Sequence, residues 1–487
     1  MNPQVARPGL RFVLSIDNGS QSTKVSVIDQ YGRVHAAGRQ PLRPSTFPVP
    51  GQVVHPDDDL WDSVRAACRA AVEAFGGRPE DIEAVGLCTI RYCRAMLDAD
   101  GTLLEPVLSW MDERVSRPYD PAGAEPAAYI TTSSGYIGHR LTGEFRDAAA
   151  NYQGVWPIDQ STARWSGDPT HYERTGMRRD QLMNVVEPGE LLGLVTAWAA
   201  EATGIPCATP VYATANDKAV EALGAGLRSP ADGVLLSLGT YIAAMAVSEQ
   251  PQWDTGKYWV NFAATPGDYL VESDGVRRGM WTVSWIRDLL EPSGRSGNVA
   301  GAAVGAELTL EAEARLEPAG CNGLSALLDW LSPTGQPHRR GAFIGFDGTQ
   351  GRGALYRCVL EGIALTMAEH LEAMEVVLGR SRATLIVSGG GAKSDLMMQI
   401  LADVLGRPTT RTGMDDAAGL GAAVCAAVGA GIHPGWDEAV AAMVTTGARF
   451  APDPGGVEQY AAVRARYRRL LRAGETLMRE VYETPHS

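Results

Sequence analysis

Several signatures are missing from this sequence, and each absence argues against a class of function. No Lys/Arg run offsets the formal net charge of -14, set by 57 acidic and 43 basic side chains. Such a field repels a polyanion unless a local basic patch overcomes it, which argues against nucleic acid as a partner. The seven cysteines (68, 88, 93, 207, 321, 358 and 425) form no CxxC pair. Scattered thiols with apolar neighbours fit buried small hydrophobes better than a disulfide framework or a zinc site. The polar start, Met1 to Gly9, lacks the apolar core of a signal peptide. The most apolar late stretch, Ala417 to Ile432, is Gly/Ala-rich and too short for a bilayer. A cytoplasmic protein without a membrane partner is expected. Neither a Walker A loop nor the G-x-G-x-x-G dinucleotide fingerprint occurs.

What remains is a chain of 487 residues, 45% hydrophobic and 21% charged, too long for one ordinary core. Two segments read alike. Phe12 to Ile16 is a short apolar strand, followed by the turn Asp17-Asn18-Gly19-Ser20 and a return strand from Lys24 to Ile28. Gly233 to Ser237 is a second apolar strand, followed by Leu238-Gly239-Thr240 and a return from Tyr241 to Val247. Both are hairpins with a glycine and a hydroxyl residue at the tip, and they lie about 220 positions apart, too far for a short solenoid repeat. Two related domains, 1–230 and 231–487, divided near Leu227 to Asp232, account for this most simply. Helical spacing marks Asp57 to Phe75, Ala354 to Leu378, Asp395 to Leu405 and Val457 to Val481. Strands are expected at Ala84 to Cys88, Val211 to Ala213 and Thr384 to Val387, and their alternation with helices indicates layered α/β domains. The pattern of Pro292 to Pro333 does not separate helix from loop. Arg464, Arg468 and Arg472 fall four residues apart and read as one solvated helix face.

The chemistry concentrates in a few strings. In Asp17 to Lys24, Gly19 lets the backbone approach a phosphate, and successive N–H groups at a hairpin tip form an anion-binding concavity. Ser20, Gln21 and Ser22 lie at that tip, the two serines adding hydroxyl donors, and Lys24 adds a positive charge. Asp17 is placed to hold Mg²⁺ directly or through water. An ordinary Asp/Asn/Gly/Ser turn also fits the string. Gly239 and Thr240 repeat the donor chemistry without a leading acid. Ser388 to Asp395 joins a strand to a helix, and Gly389, Gly390 and Gly391 allow flat packing of an adenine or ribose, while Ser394 also fits a helix cap. Asp217 lies between a strand and a helix start. It fits either a helix cap or the general base that takes a proton from an attacking hydroxyl.

Taken in order, these strings resemble the FGGY carbohydrate kinases. The matching set is Asp17 to Lys24, Trp110-Met111-Asp112-Glu113-Arg114, Leu141-Thr142-Gly143-Glu144, Asn216-Asp217 through Gly226, Leu238-Gly239-Thr240, Leu360-Glu361-Gly362, Gly389 to Asp395 and Gly421-Ala422-Ala423. The resemblance implies two ribonuclease-H-like domains of actin/hexokinase type around a central cleft. It implies ATP and Mg²⁺ as cofactors, a small sugar or polyol as substrate, and Asp217 as catalytic base. By position it assigns nucleotide contacts to Gly19, Ser20, Gln21, Ser22, Lys24, Gly239 and Thr240. The same holds for Gly390, Gly391, Ala392 and Ser394. Arg91 falls on a substrate-loop position, with Tyr92, Trp110, Asp112, Asp217 and Lys218 as further substrate-side candidates, although Trp110 fits a core position equally. A homodimer is compatible with the resemblance.

Four features depart from the family pattern. The segment between Arg114 and Leu141 is short. Lys218 replaces the glutamine common after the catalytic aspartate. Met280 and Ser284 stand where a glycine and a glutamine are usual, and Asp415-Asp416 stands where a glutamate is usual. Arg91 and Lys218 together raise the question of an anionic substrate, against a neutral ketose or polyol. Two rival functions share the architecture: a non-catalytic nucleotide-binding regulatory protein, and an ATPase with no small-molecule acceptor.

Overall fold

The first apolar run forms β1 (Phe12–Asn18), buried along its whole length as a strand in mid-sheet must be. The computed structural model describes residues 9–121, 126–251, 258–290, 299–333, 335–379 and 384–483; most of the polar start therefore lies outside the described residues. β1 folds back antiparallel onto β2 (Ser22–Asp29), and β2 onto β3 (Val34–Pro41). On its other side β1 runs parallel to β4 (Ile82–Thr89). β5 (Leu191–Leu194) pairs antiparallel with β6 (Pro210–Ala213), which runs parallel to β4, so the sheet reads β5-β6-β4-β1-β2-β3.

The second half repeats this plan. β7 (Val234–Leu238) and β8 (Ile242–Ser248) form the second hairpin, extended antiparallel by β9 (Tyr258–Phe262) and β10 (Tyr269–Ser273). β11 (Leu385–Ser388) and β12 (Thr409–Thr412) add parallel strands beside β7, and β13 (Thr446–Phe450) closes the edge, giving β9-β10-β8-β7-β11-β12-β13. Each hairpin therefore sits in the middle of its sheet, next to the strand that begins the parallel run. The hairpin tips and the carboxyl ends of the parallel strands then open on one side, where ligands of α/β sheets bind.

The helices follow the apolar spacing closely. α1 (Asp59–Ala74) buries Leu60, Trp61, Val64, Ala67, Cys68 and Ala71. It approaches β3 so closely that a Cβ on Gly38 would lie 2.1 Å from the Ala67 carbonyl oxygen. α2 (Asp217–Gly224) carries the candidate base at its first position. α3 (Arg352–Leu378), α4 (Asp395–Leu405) and α5 (Ala417–Gly429) precede the long closing helix α6 (Pro454–Tyr482). The ambiguous stretch after Pro292 contains a helix, Val299–Leu316, and a short strand, Ser325–Leu327. The short segment after Arg114 contains a strand, Tyr129–Thr131, and the helix Ser133–Thr142.

Sequence position and spatial position part company at α5. This helix belongs to the second half of the chain, yet it lies against the first sheet: a Cβ on Gly86 of β4 would stand 2.2 Å from the Ala422 carbonyl oxygen. α2 and α5 cross at two glycines, where a Cβ on Gly224 would meet the Ala417 oxygen at 1.9 Å and one on Gly421 the Val220 oxygen at 1.9 Å. Val13, Cys88, Val220, Leu235, Ile386 and Ala422 consequently belong to a single buried cluster shared by both halves.

One detail departs from expectation. Arg464 and Arg468 of α6 do not form a bare solvated face, because both reach Glu369 and Glu372 of α3 and clamp the two helices together. The cysteines are all unpaired, and every one except the exposed Cys207 is buried. Among the described residues, no helix is long and apolar enough to cross a membrane.

Candidate active site

The two hairpin tips meet across the cleft. Gly19 closes its turn through its N–H to the Ser22 carbonyl at 3.2 Å. Asn18 and Thr23 are tied to each other at 2.7 Å, and Thr23 to Ser63 of α1 at 2.6 Å, so the turn is rigid. Ser20 and Gln21 remain exposed at the tip, whereas Ser22 is buried and accepts from Arg39 at 3.2 Å. Gln21 donates to the Thr240 hydroxyl on the opposite tip at 3.2 Å. The two hairpin tips, one from each half of the chain, thus meet at one point of the cleft.

Asp17 and Lys24 face each other across the first hairpin. The Lys24 ammonium lies 3.0 Å from Asp17 and 3.1 Å from Asp416, the residue that precedes α5. Burial pushes the Asp17 carboxyl up to about 7, with Asp416 adding repulsion and Lys24 opposing both. Burial disfavours the Lys24 charge too, but the two carboxylates outweigh it and hold the ammonium protonated. Lys24 is therefore spent on two acids rather than presented free to a phosphate. A Cβ on Gly19 would lie 3.8 Å from Asp17 Oδ1, so this oxygen faces the loop tip. Among the described residues no group of three His, Cys, Asp or Glu side chains could hold a metal alone. A metal here would rest on Asp17, with Asp416 beside it, and on phosphate oxygens, which is how Mg²⁺ is usually held with nucleotides.

Asp217 opens α2 behind Asn216, whose side chain caps the helix by accepting from the N–H groups of Lys218 and Ala219, both at 3.1 Å. Asn216 supplies the main cap, and the Asp217 Oδ1, which also accepts from the Lys218 N–H at 2.9 Å, stands 3.8 Å from Arg91 Nε. Burial raises its pKa above the usual carboxylate range, while Arg91 and Lys218 pull it down. Arg91 makes a two-point ion pair with Glu272 of β10, at 2.6 and 2.8 Å. Tyr92, in the left-handed region at φ 63, is strained for a non-glycine residue. That backbone sends its hydroxyl to Asn261 of β9 at 3.2 Å, and Asn261 in turn lies 3.4 Å from Glu272. The loop after β4 and the strands β9 and β10 thus close the acceptor side from opposite halves.

On the adenosine side, Gly389 takes φ 84 and starts the turn after β11. Gly390 is exposed, with nothing within 4 Å of the position a Cβ would occupy. Its flat face is open for a ring.

Several sequence-derived assignments change. Gly391 is buried, its missing Cβ filled by Met280 Sδ at 2.7 Å and Leu238 at 2.9 Å, so it packs the two loops together instead of facing a ligand. Ala392 is also buried, and its carbonyl accepts from Arg411. Ser394 is the cap of α4, accepting from Met397 N at 3.1 Å. Asp112 is 1% exposed and fully used: it caps a short 3-10 turn and takes hydrogen bonds from Arg114 and from Val53 N. It shapes the loop and does not reach an acceptor. Trp110 is 41% exposed and so is not core. Lys218 turns away from the acceptor side, its ammonium held by Glu221 at 2.8 Å and by Ser237 at 2.8 Å.

Models of the FGGY family of carbohydrate kinases match residues 12–120 (N-terminal domain) and 234–430 (C-terminal domain). An uncharacterized sugar kinase of Escherichia coli K12, YgcE, is 41% identical over 98% of this chain and 96% of its own length. The chain belongs to the FGGY family of carbohydrate kinases. The autoinducer-2 kinase of Escherichia coli is 26% identical over 92% of both chains. The xylulose kinase of Rhodospirillum rubrum superposes with a TM-score of 0.81 at 25% identity, over 96% of this chain and 100% of that one. This FGGY kinase is accordingly a sugar phosphotransferase with the two-domain actin/hexokinase-like fold, and its family implies ATP as co-substrate.

Three functional-looking groups of this FGGY kinase escaped the sequence reading. Glu272 and Asn261 lie in strands too short to carry a motif, and their only signal was a polar residue inside an apolar run. Glu221 reads as an ordinary helix-surface glutamate. It becomes notable only because α2 lies against the second sheet, where Ser237 and Ser388 donate to it at 2.7 and 2.6 Å.

Proposed function

We propose that this protein transfers the γ-phosphoryl group of ATP to a hydroxyl of a small sugar or polyol, with Asp217 as general base. The observation that carries this reading is the position of Asp217. Its carboxylate opens α2, is raised in basicity by burial, and is placed beside Arg91 at the end of the cleft where the hairpin tips meet.

The reaction then follows from the residues. The amides of the Gly19–Gln21 tip and of Gly239–Thr240 hold the phosphates, while adenosine lies over Gly390. Arg91, Tyr92 and Asp217 orient the acceptor. As the acceptor oxygen bonds to the γ-phosphorus, its proton passes to Asp217 and the bond from that phosphorus to the β–γ bridging oxygen breaks, leaving ADP. Closure of the cleft around both substrates keeps water, a competing acceptor, from the reacting phosphate. A bound Mg²⁺, held at Asp17, would supply charge neutralisation for the phosphates.

The first rival leaves Asp217 without a task, and the second leaves the Arg91-Tyr92 loop without one. A binding module needs no base, and an ATPase needs no acceptor loop such as Arg91-Tyr92. The deciding experiment is product analysis by phosphorus NMR across a panel of polyols and ketoses. Equal amounts of ADP and a phosphorylated acceptor are expected. Free phosphate without a phosphorylated acceptor would assign the protein as an ATPase instead.

A further inference from the structure

Two cations stand near the candidate base, and each has its own glutamate. Arg91 spends both terminal nitrogens on Glu272, at 2.6 and 2.8 Å, and the Glu272 side chain is only 1% exposed. Lys218 is held by Glu221 at 2.8 Å and points toward Ser237, away from the acceptor. Asp217 is balanced more weakly, by Arg91 Nε at 3.8 Å and by the Lys218 N–H at 2.9 Å. Asn261 braces the arrangement by donating to Glu272 at 3.4 Å while accepting from Tyr92 at 3.2 Å. What the pocket offers an incoming molecule is a set of hydrogen-bonding groups: the Arg91 Nε edge, the Tyr92 hydroxyl and the Asp217 carboxylate, with the buried Asn261 amide holding them in place. These suit hydroxyl groups. A carboxylate brought here would meet Asp217 and Glu272 with Arg91 already paired, and a desolvated charge without a partner binds poorly.

We infer that the acceptor is uncharged, a neutral polyol or ketose, and that Glu272 selects it by occupying the guanidinium of Arg91. Glu272 thereby acts as a specificity-determining residue supplied by the second half of the chain to a pocket whose other groups come mostly from the first. The inference rests on the sugar-kinase reading of the cleft and adds the charge class of its substrate. Removing the Glu272 charge while keeping its shape leaves Arg91 free to receive an acid. Glu272→Gln should therefore move selectivity toward sugar acids, and the gain should vanish when Arg91 is also neutralised.

The test compares matched acceptors differing in one terminal group, such as gluconate with glucitol, and xylonate with xylitol and xylulose, by coupled ADP release with the full-length enzyme. In the wild type the neutral member of each productive set should have at least about tenfold the higher kcat/KM, and aldonates should not inhibit competitively. Glu272→Gln should raise the aldonate-to-neutral ratio about tenfold or more, chiefly through a lower KM for the aldonate, with the KM for ATP unchanged. The charge-balanced double variant Arg91→Gln/Glu272→Gln should show no such rise. If Glu272→Gln fails to fold, the wild-type ranking and the aldonate inhibition still decide the matter. A wild type that prefers aldonates, or a folded Glu272→Gln with an unchanged ratio, overturns the inference and leaves the kinase reading standing. A wild type that phosphorylates no sugar, polyol or sugar acid overturns both.

Discussion

Lys218 and Glu221 sit one turn apart on α2 and close a 2.8 Å ion pair that faces the second sheet, not the acceptor. Ser237 and Ser388, which donate to the same glutamate, lie at the ends of β7 and β11, the strands that carry the second phosphate loop and the adenosine loop. The helix bearing the candidate base is thus fastened by one half-buried carboxylate to both candidate nucleotide loops.

Breaking that fastening should be costly. Glu221→Ala leaves the half-buried Lys218 without its nearest counter-charge, and the loss should be large but below the ~3–5 kcal/mol typical of a fully buried pair. Thermal unfolding should show a clear drop for Glu221→Ala and a much smaller one for Lys218→Met/Glu221→Leu, which removes both charges. Lys218→Gln should leave the ranking of acceptors unchanged, since its ammonium does not reach them. A ranking altered by Lys218→Gln would show that the ammonium does act on the substrate.

Asp217→Asn should reduce turnover by about 10²–10⁴, the usual worth of general-base assistance. Nucleotide binding, measured by calorimetry, should persist, because the phosphate and adenosine contacts lie elsewhere. The stability effect has a definite sign. Burial raises this carboxyl above its unfolded value, so the folded state retains the proton longer, and the contribution of Asp217 to stability declines as pH rises between the two pKa values. The uncharged variant escapes that cost, and its melting temperature at neutral pH should be no lower than that of the wild type. Turnover above about a tenth of wild type would remove Asp217 from the role of base.

The pH profile gives an independent check. With Asp217 as the proposed base, kcat/KM should fall on the acid side through a pKa above the ordinary carboxylate value of about 4. Glu272 and Glu221 raise that pKa, while Arg91 and Lys218 lower it. Glu272→Gln removes one negative charge and frees Arg91 from its partner. The acid limb should therefore move to lower pH. A limb that stays in place or moves upward would mean that another group sets it.

The helix crossing should resist even one added methyl group. A Cβ on Gly421 would stand 1.9 Å from the Val220 carbonyl oxygen, a backbone atom that can yield only if α2 and α5 separate. Gly421→Ala should destabilise by about 1–3 kcal/mol through overpacking, outweighing the gain of up to about 1 kcal/mol in helix propensity. Urea unfolding measures this directly. An alanine variant as stable as the wild type would show that the crossing has slack.

The sequence by itself determined the two hairpins, the helices α1, α3, α4 and α6, and the family. Each rests on local information: apolar spacing, a glycine beside a hydroxyl residue at a turn, and an acid at a helix start. The identity of the candidate base was legible for the same reason, since Asn216-Asp217 is contiguous with the strand and helix that place it. Only the tertiary structure decided which charges are free. Lys24 looked like a phosphate ligand until Asp416, far along the chain, appeared beside it, and Arg91 and Lys218 looked like unpaired cations until Glu272 and Glu221 took them up. Asp112 and Gly391 likewise turned from ligand candidates into packing and capping residues. Charge pairing, burial and close packing depend on distances between segments hundreds of positions apart, and local spacing carries no record of them.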